Sequence, residues 1–180
     1  DGALQGTDDP VGAARRLLAE GWIVAVKGLG GFHLAAAASD EVAVARLRQR
    51  KRRYQKPFAV IARNVEVIRN YCTVSDEERS LLESPAGPIV ILRATGAARL
   101  AGGVAPGQRT LGFMLPYTPL HHLLLEGMDR PLVLTSGNLS AEPQCTDNDE
   151  ARVKLAALAD YLLLHDRAIV NRVDDSLVRV

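Results

Sequence analysis

Short apolar runs alternate along the chain with segments in which apolar residues recur at helical spacing. The runs have strand length, and their β-branched residues favour buried strands. They lie at 22–26, 57–62, 88–94, 110–116, 131–137, 161–165 and 175–180. The helical patterns lie at 10–20, 42–51, 65–72, 76–84, 119–127 and 149–160. This order predicts one α/β domain over 1–180, with helices covering the faces of a sheet.

Capping residues mark the starts of the first two helices. Asp9 and Pro10 are typical of an N-cap and a first helical turn, and Gly21 is typical of a helix end. Ser39 and Asp40 can cap the second helix.

Composition restricts the class of protein. The chain has 180 residues, of which 47% are hydrophobic, enough for one substantial core. No apolar run approaches the roughly 20 residues that span a bilayer. Cys72 and Cys145 lie far apart and lack the spacing of a zinc site or a disulfide framework. We therefore expect a cytoplasmic protein, and the strand-like end DDSLVRV suggests a domain cut from a longer polypeptide.

Positive charge is concentrated in one place. The formal net charge is +1, yet the stretch RQRKRRYQKP (48–57) carries six positive charges. This stretch fits a solvated helix end, a nucleic-acid-binding patch or a pocket for a small polyanion such as ATP. Cations in a last helical turn oppose the helix dipole favourably, as the first interpretation requires. A helix that breaks near Lys51, ahead of Pro57, would instead direct Lys51 and Arg53 into one anion pocket.

A glycine-rich segment, KGLGGFHL (27–34), follows the first predicted strand. Its glycines permit backbone conformations that other residues avoid and let a ligand approach the main chain. The dinucleotide fingerprint G-x-G-x-x-G fails because residue 33 is His, and no Gly-Lys-Ser/Thr of a P-loop follows. The pattern predicts a glycine turn at a strand end, with His33 either a structural histidine or a catalytic one.

A polar loop, TSGNLSAEP (135–143), follows the strand-like run at 131–137. Thr135, Ser136, Asn138 and Ser140 place four short hydrogen-bonding side chains around a glycine, which also suits an ordinary polar turn. Ligands of open α/β sheets bind at the carboxyl ends of strands. The loop is therefore a candidate for contacts with phosphate and ribose oxygens.

Together these segments resemble the YrdC-like family. RKRRYQKPFAV resembles its Lys-x-Arg motif ahead of a strand, and TSGNLS resembles its Ser-x-Asn motif. The domain found in hydrogenase-maturation carbamoyltransferases is the most similar, through the stretches VKGLGGFHLA, LGFMLPYTPLHHLLL, PLVLTSGNLSAEP, TDNDEA and HDRAIVNRVDDSLVRV. The resemblance covers nearly the whole chain. It implies a single YrdC-like domain with a twisted, mixed β-sheet, flanking helices and a concave basic face.

The resemblance also implies roles for individual residues. Lys51 and Arg53 would act in catalysis at the ATP phosphates. The residues implied to bind ATP are Lys51, Arg53, Ser136, Asn138, Arg172 and Ser176. The residues expected in the substrate pocket are Lys27, Gly30, His33 and Tyr117. The remaining arginines of the basic helix are expected to be solvated: Arg46, Arg48 and Arg52.

Two departures from the family pattern bear on the substrate. Threonylcarbamoyl-adenylate synthases usually have Pro-Thr-Glu where this chain has Lys27, Gly28 and Leu29, and often an Arg where it has Met114. Both changes remove groups that would hold an amino acid. The resemblance therefore implies a smaller carbamoyl donor.

The implied reaction converts ATP and carbamate, derived from carbamoyl phosphate, into carbamoyl-adenylate and pyrophosphate, with Mg²⁺ as cofactor and no metal site built from protein side chains. The implied partners are the transfer and acylphosphatase-like domains of a parent chain, and a protein whose C-terminal cysteine accepts the carbamoyl group during nickel–iron hydrogenase maturation. Two alternatives stay open: the adenylation domain of an antibiotic-tailoring O-carbamoyltransferase, and a module that binds double-stranded RNA. The low aromatic content of 4% and the small net charge disfavour RNA binding.

Overall fold

The computed structural model describes residues 7–139 and 142–180. Within these residues the helices are α1 (Pro10–Ala19), α2 (Glu41–Lys51), α3 (Val65–Arg69), α4 (Asp76–Leu82), α5 (Pro119–Leu125) and α6 (Asn148–Lys154). The strands are β1 (Val24–Lys27), β2 (Phe32–Ala37), β3 (Ala59–Ile61), β4 (Ile89–Arg93), β5 (Thr110–Met114), β6 (Leu132–Ser136), β7 (Tyr161–Leu163) and β8 (Leu177–Val178).

The strands form one mixed sheet in the order β7-β1-β2-β6-β3-β5-β4-β8. The pairs β1–β2, β2–β6, β3–β6 and β4–β5 are antiparallel, and the pairs β1–β7, β3–β5 and β4–β8 are parallel. The predicted α/β class with a mixed sheet is confirmed.

Strand β2 was not among the predicted strands. Its sequence, FHLAAA, is rich in alanine and contains no β-branched residue, so its intrinsic strand preference is weak. It forms because it pairs with β1 on one side and β6 on the other, where its first five residues are buried. The predicted glycine turn is the link of a β1–β2 hairpin, closed by a hydrogen bond of 2.9 Å from Gly28 N to Gly31 O.

Alternation along the strands gives the sheet two apolar faces. Ala25 of β1 and Leu34 of β2 belong to a core shared with Leu47 of α2. The intervening positions, such as Val24 and Val26, face a second core that includes Leu18 of α1 and Leu124 of α5. Helices therefore cover both faces, as the order of elements predicted.

The ends of α1 and α2 follow the predicted signals. Asp9 caps α1 and accepts from Gly12 N, while Asp40 caps α2 and accepts from Val42 N and Ala43 N. Helix α2 ends at Lys51 because Arg52 adopts a left-handed conformation, with φ of 53° and ψ of 38°.

The expectation that Arg46 and Arg48 are merely solvated is wrong, whereas Arg52 is exposed as expected. Arg46 donates to Gly21 O and lies over the ring of Trp22, with 5.7 Å from Cζ to the ring centroid. Arg48 is buried at the end of α2. Each of these side chains donates to at least one main-chain carbonyl and lies over an aromatic ring. The charge pattern of the sequence does not reveal such contacts.

Candidate functional site

The end of α2 and the loop after β6 meet at the ammonium group of Lys51. Lys51 Nζ lies 2.5 Å from Ser136 O, 2.8 Å from Asn138 O and 2.7 Å from Asn138 Oδ1. Ser136 Oγ lies 3.3 Å away. The side chain of Lys51 is almost wholly buried. It thus organises the polar loop as well as supplying charge to it.

Arg53 lies beside this cluster, two residues beyond the break in α2. Its guanidinium donates to Pro57 O at 2.6 Å and reaches Thr135 Oγ1 at 3.5 Å. Its Cζ lies 5.3 Å from the ring centroid of Phe58. Because Thr135 belongs to β6, the structure brings together Lys51, Arg53, Ser136 and Asn138 from the two separated motifs.

The loop after β6 has its own hydrogen bonds. Ser136 Oγ donates to Asn138 Oδ1 at 2.7 Å, and Asn138 Nδ2 donates to Glu142 O. Asn138 is therefore the residue through which the loop contacts both the strand end and Lys51. Ser140 lies outside the described residues.

The electrostatics of this cluster favour an anion. Burial, together with the nearby Arg53 guanidinium, lowers the pKa of Lys51 to about 7. Burial also lowers the pKa of Arg53. Among the described residues no carboxylate forms a salt bridge with Arg48 or Arg53. Carbonyl dipoles thus solvate both guanidinium groups, and the half-buried Arg53 can still attract an incoming polyanion.

The four residues expected in the substrate pocket line a cavity of about 700 Å³, together with the segment 165–176. Each of them contacts that segment. Lys27 Nζ donates to His165 O at 3.0 Å, and Gly30 O accepts from Val173 N at 3.1 Å. The other two, His33 and Tyr117, both contact Asp175. The expected pocket residues therefore hold one wall of the cavity in place.

Asp175 is the functional candidate that sequence reasoning missed. Tyr117 OH donates to Asp175 Oδ1 at 3.0 Å, and His33 Nε2 lies 3.5 Å from Asp175 Oδ2. Burial opposes ionisation of Asp175, but the contacts with His33 and Tyr117 outweigh it and lower its pKa. The same arrangement, chiefly burial and then the Asp175 charge, raises the pKa of Tyr117. Its position next to Ser176, in a segment already singled out, was the available signal.

The last two predicted nucleotide-binding residues lie on the same segment but not at the same place. Ser176 lines the cavity and its carbonyl accepts from Ile89 N at 2.8 Å. Arg172 is exposed and is not among the residues that line the cavity. Its Nε donates to Gln144 O at 3.0 Å, so it ties the segment to the residues that follow the polar loop.

The cavity and the cluster around Lys51 are connected through the neighbouring strands β2 and β6. Strand β6 ends at Ser136, which pairs in register with His33 of β2, and Lys27 pairs with Phe32 across the hairpin. Gly137 N also donates to Phe32 O at 2.5 Å. His33, which lines the cavity, is therefore the strand neighbour of Ser136, which contacts Lys51.

Several other kinds of site find no support in the described part of the chain. It holds no cluster of three or more His, Cys, Asp or Glu side chains able to bind a metal ion. Burial, with a smaller effect of Glu78, raises the pKa of Cys72 to about 12, and burial also raises the pKa of Cys145. Neither buried thiol is thus poised as a nucleophile. No helix in residues 7–139 and 142–180 has the length and hydropathy to cross a membrane.

Comparison with known proteins adds to this geometry. Residues 16–180 match the family Sua5_yciO_yrdC, described as telomere recombination. The carbamoyltransferase HypF of Rhodobacter capsulatus is 55% identical over 172 residues, which cover 96% of this chain and 23% of that protein. A threonylcarbamoyl-AMP synthase of Escherichia coli O6:H1 is 32% identical, with 86% of this chain and 82% of that protein covered.

A solved structure extends the comparison. The crystal structure of full-length HypF in its phosphate- and nucleotide-bound form matches this chain with a TM-score of 0.92 at 54% identity, over 94% of this chain and 27% of that one. The chain thus spans about a quarter of the length of the HypF proteins that it matches.

Proposed function

This chain belongs to the Sua5/YciO/YrdC family, and we propose that it binds ATP and joins carbamate to the α-phosphate to form carbamoyl-adenylate. The similarity to HypF carbamoyltransferases supports carbamate as the substrate. In a longer protein, the carbamoyl group would pass to a transfer domain and then to a partner's C-terminal cysteine on the route to a nickel–iron hydrogenase.

One observation carries the proposal. Residues from two motifs far apart in the chain, Lys51 and Asn138, meet at 2.7 Å beside Arg53, where no carboxylate of the described residues pairs with that arginine. A buried, positively charged cluster lined by amide and hydroxyl groups suits the phosphates of a nucleotide. The HypF structure matched above is itself described as nucleotide-bound.

The chemical step needs alignment and charge stabilisation more than acid–base catalysis. A carbamate oxygen attacks the α-phosphorus and forms a new P–O bond. The bond from that phosphorus to the oxygen bridging to the β-phosphate breaks, and this oxygen leaves with pyrophosphate. Arg53 is partly exposed and would contact the phosphates first. Lys51 would bind them after exchanging its hydrogen bond to Asn138 Oδ1 for one to a phosphate oxygen.

The cavity next to the cluster has a separate role in this proposal. The segment 165–176 lines a cavity of about 700 Å³ together with the residues that hold it and with residues 85–87 and 117–120, and His33 of this cavity pairs with Ser136. Carbamoyl-adenylate reacts readily with water, so a wall that shields it would preserve the product.

Mg²⁺ fits as an ion that enters with the triphosphate. Mg²⁺ at nucleotide sites keeps several waters and takes its remaining oxygen ligands largely from phosphates. The described residues offer no cluster that would hold it independently. The role of this chain would then be to bind the phosphates that carry the ion, through Lys51 and Arg53.

The test is isotope exchange between ATP and pyrophosphate, catalysed by the 180-residue chain. We expect exchange that depends on carbamate, supplied as ammonium carbamate. Exchange that depends instead on L-threonine plus bicarbonate would show a threonylcarbamoyl-adenylate synthase and overturn the proposed substrate.

Matched variants show whether the basic cluster is responsible. We expect Lys51→Ala and Arg53→Ala each to weaken ATP binding by about 1–3 kcal/mol, as for a lost charge-assisted hydrogen bond. Arg52→Asn removes the same charge from an exposed neighbour whose left-handed backbone suits Asn. Equal losses in all three would indicate a diffuse patch. Tighter binding of double-stranded RNA than of ATP would favour the RNA-binding alternative.

A further inference from the structure

Arg48 is buried in the last turn of α2, with its side chain directed at the turn formed by residues 52–57. Its guanidinium donates to four main-chain carbonyls, those of Gly103, Arg53, Lys56 and Val104. Its Cζ also lies 4.5 Å from the ring centroid of Phe58. A planar guanidinium has five N–H donors in a fixed arrangement, which suits this set of acceptors.

Arg48 hydrogen-bonds both main-chain polar groups of Arg53. Arg53 N donates to Arg48 O at 3.1 Å, while Arg53 O accepts from the Arg48 guanidinium. The Arg53 side chain lies over the same Phe58 ring as Arg48. The direction in which the chain leaves α2, and hence the position of the Arg53 guanidinium, therefore depends on Arg48.

We infer that Arg48 is a positioning residue for the anion site: it fixes the 52–57 turn so that Arg53 and Lys51 face the same polyanion, without touching that polyanion itself. The inference rests on the proposed function, because it concerns binding of the ATP phosphates. Four carbonyl acceptors occupy most of the guanidinium donors, which leaves Arg48 little capacity to bind phosphate directly.

A positioning role and a purely electrostatic role predict different behaviour of Lys at this position. Arg48→Lys keeps the positive charge but replaces the fork with a single ammonium, which cannot reach carbonyls on both sides of the turn. Arg48→Met removes the charge and keeps an apolar stem beside Phe58. If Arg48 acts by geometry, both variants bind ATP weakly; if it acts by charge alone, Arg48→Lys binds like the wild type.

Arg46 supplies the matched control. It lies on the same helix and donates to a main-chain carbonyl, that of Gly21, while packing over Trp22. Arg46→Met therefore removes the same kinds of contact from a place remote from the 52–57 turn. It should lower the stability of the domain without changing ATP affinity by more than about twofold.

The experiment measures dissociation constants for ATP and for inorganic tripolyphosphate, with thermal unfolding of each variant in parallel. Wild-type protein that binds neither ligand would refute the proposed function. Given wild-type binding, we expect Arg48→Met and Arg48→Lys to weaken binding of both ligands by about tenfold or more. The shared loss places the effect at the phosphates.

Two results would overturn the inference itself. One is wild-type affinity in Arg48→Lys, which would show that charge alone is needed. The other is an equal loss of affinity in Arg46→Met, which would show a general effect of destabilisation. If Arg48→Met does not fold, Arg48→Gln replaces it, since its amide retains a donor for one or two of the carbonyls.

Discussion

Buried cations that donate to main-chain carbonyls distinguish this site at the scale of single residues. Arg48 is 8% exposed and Lys51 only 1%, and both are surrounded by carbonyl oxygens. Burying a charge is costly unless dipoles or opposite charges compensate it. Carbonyl dipoles compensate the cost but leave the positive charge in place. No described carboxylate forms a salt bridge with Arg48 or Arg53, so the site retains an attraction for an anion that an ion pair would cancel.

The pKa of Lys51 leads to a prediction about ligand binding. Burial and Arg53 lower this pKa to about 7, so the ammonium loses its proton as the pH rises through neutrality. Arg53 stays protonated over the same range. We expect ATP affinity to fall roughly three- to tenfold from pH 6.5 to 8.5, measured by calorimetry at constant ionic strength. Lys51→Met should bind more weakly but show little of this dependence, and a flat wild-type profile would contradict the prediction.

His121 leads to a second prediction, about stability. It is buried on α5 beside His33 and Tyr117, and neither ring nitrogen has a hydrogen-bond partner among the described residues. Burial, and next the charge of His33, lower its pKa to about 4. In the unfolded chain His121 binds a proton near pH 6.5, whereas in the folded chain it stays neutral until about pH 4. This histidine therefore costs no stability above pH 6.5, and the free energy of unfolding falls as the pH drops from 6.5 toward 4.

Replacing His121 should remove this part of the acid sensitivity. We expect His121→Phe to reduce the loss of unfolding free energy between pH 6.5 and 4 by roughly 2–3 kcal/mol, measured by urea unfolding. The control is His122→Phe, on the exposed side of the same helix. An unchanged pH dependence in the His121 variant would place the acid sensitivity in other groups.

At the scale of elements, the break after α2 was predictable and strand β2 was not. The break has local signals, since a run of like charges and Pro57 both limit the helix. Strand β2 depends on its neighbours β1 and β6, because its alanines carry almost no strand preference of their own. The wall formed by residues 165–176 depends on contacts such as Lys27 to His165, 138 positions apart, and no local pattern encodes such contacts.

The end of α2 also leads to a prediction about backbone strain. Arg52 is the non-glycine residue with positive φ in the described chain, at a helix end where glycine is favoured. Arg52→Gly should raise the free energy of unfolding by about 0.5–1 kcal/mol. Gln49→Gly, an exposed position within α2, should lower it by about 1 kcal/mol. Urea unfolding measures both changes. Destabilisation by Arg52→Gly would mean that the arginine side chain stabilises the fold by more than its left-handed backbone conformation destabilises it.

At the scale of the whole molecule, the sheet brings distant strands to one cavity. Strand β2 is third and β8 is last in the sheet order, yet Asp175, just before β8, contacts His33 of β2. Residues near both ends of the chain therefore enclose the same space. The residues expected in the substrate pocket therefore contact the segment 165–176 and join it to the rest of the domain.

Asp175 should be the residue on which this closure depends. The contacts with His33 and Tyr117 outweigh the burial of Asp175 and lower its pKa. The stabilisation that the Asp175 carboxylate provides is therefore present above its unfolded pKa. It is lost as the pH falls through the lower, folded pKa. Asp175→Asn removes the charge at every pH. We expect it to free the segment around Val173, whose amide is bonded to Gly30 O, and to speed exchange of that amide by about tenfold.

Hydrogen exchange measured by NMR at pH 6, with Val173 as the reporter, tests this expectation. The control is Asp174→Asn, the same change in an exposed neighbour, which should leave the exchange rate of Val173 unaltered. A faster rate in the Asp175 variant alone, together with faster decay of added carbamoyl-adenylate, would tie the closed wall to protection of the proposed product from water. Equal rates in both variants would show that the main-chain bonds of Val173 and Ser176 hold the wall without Asp175.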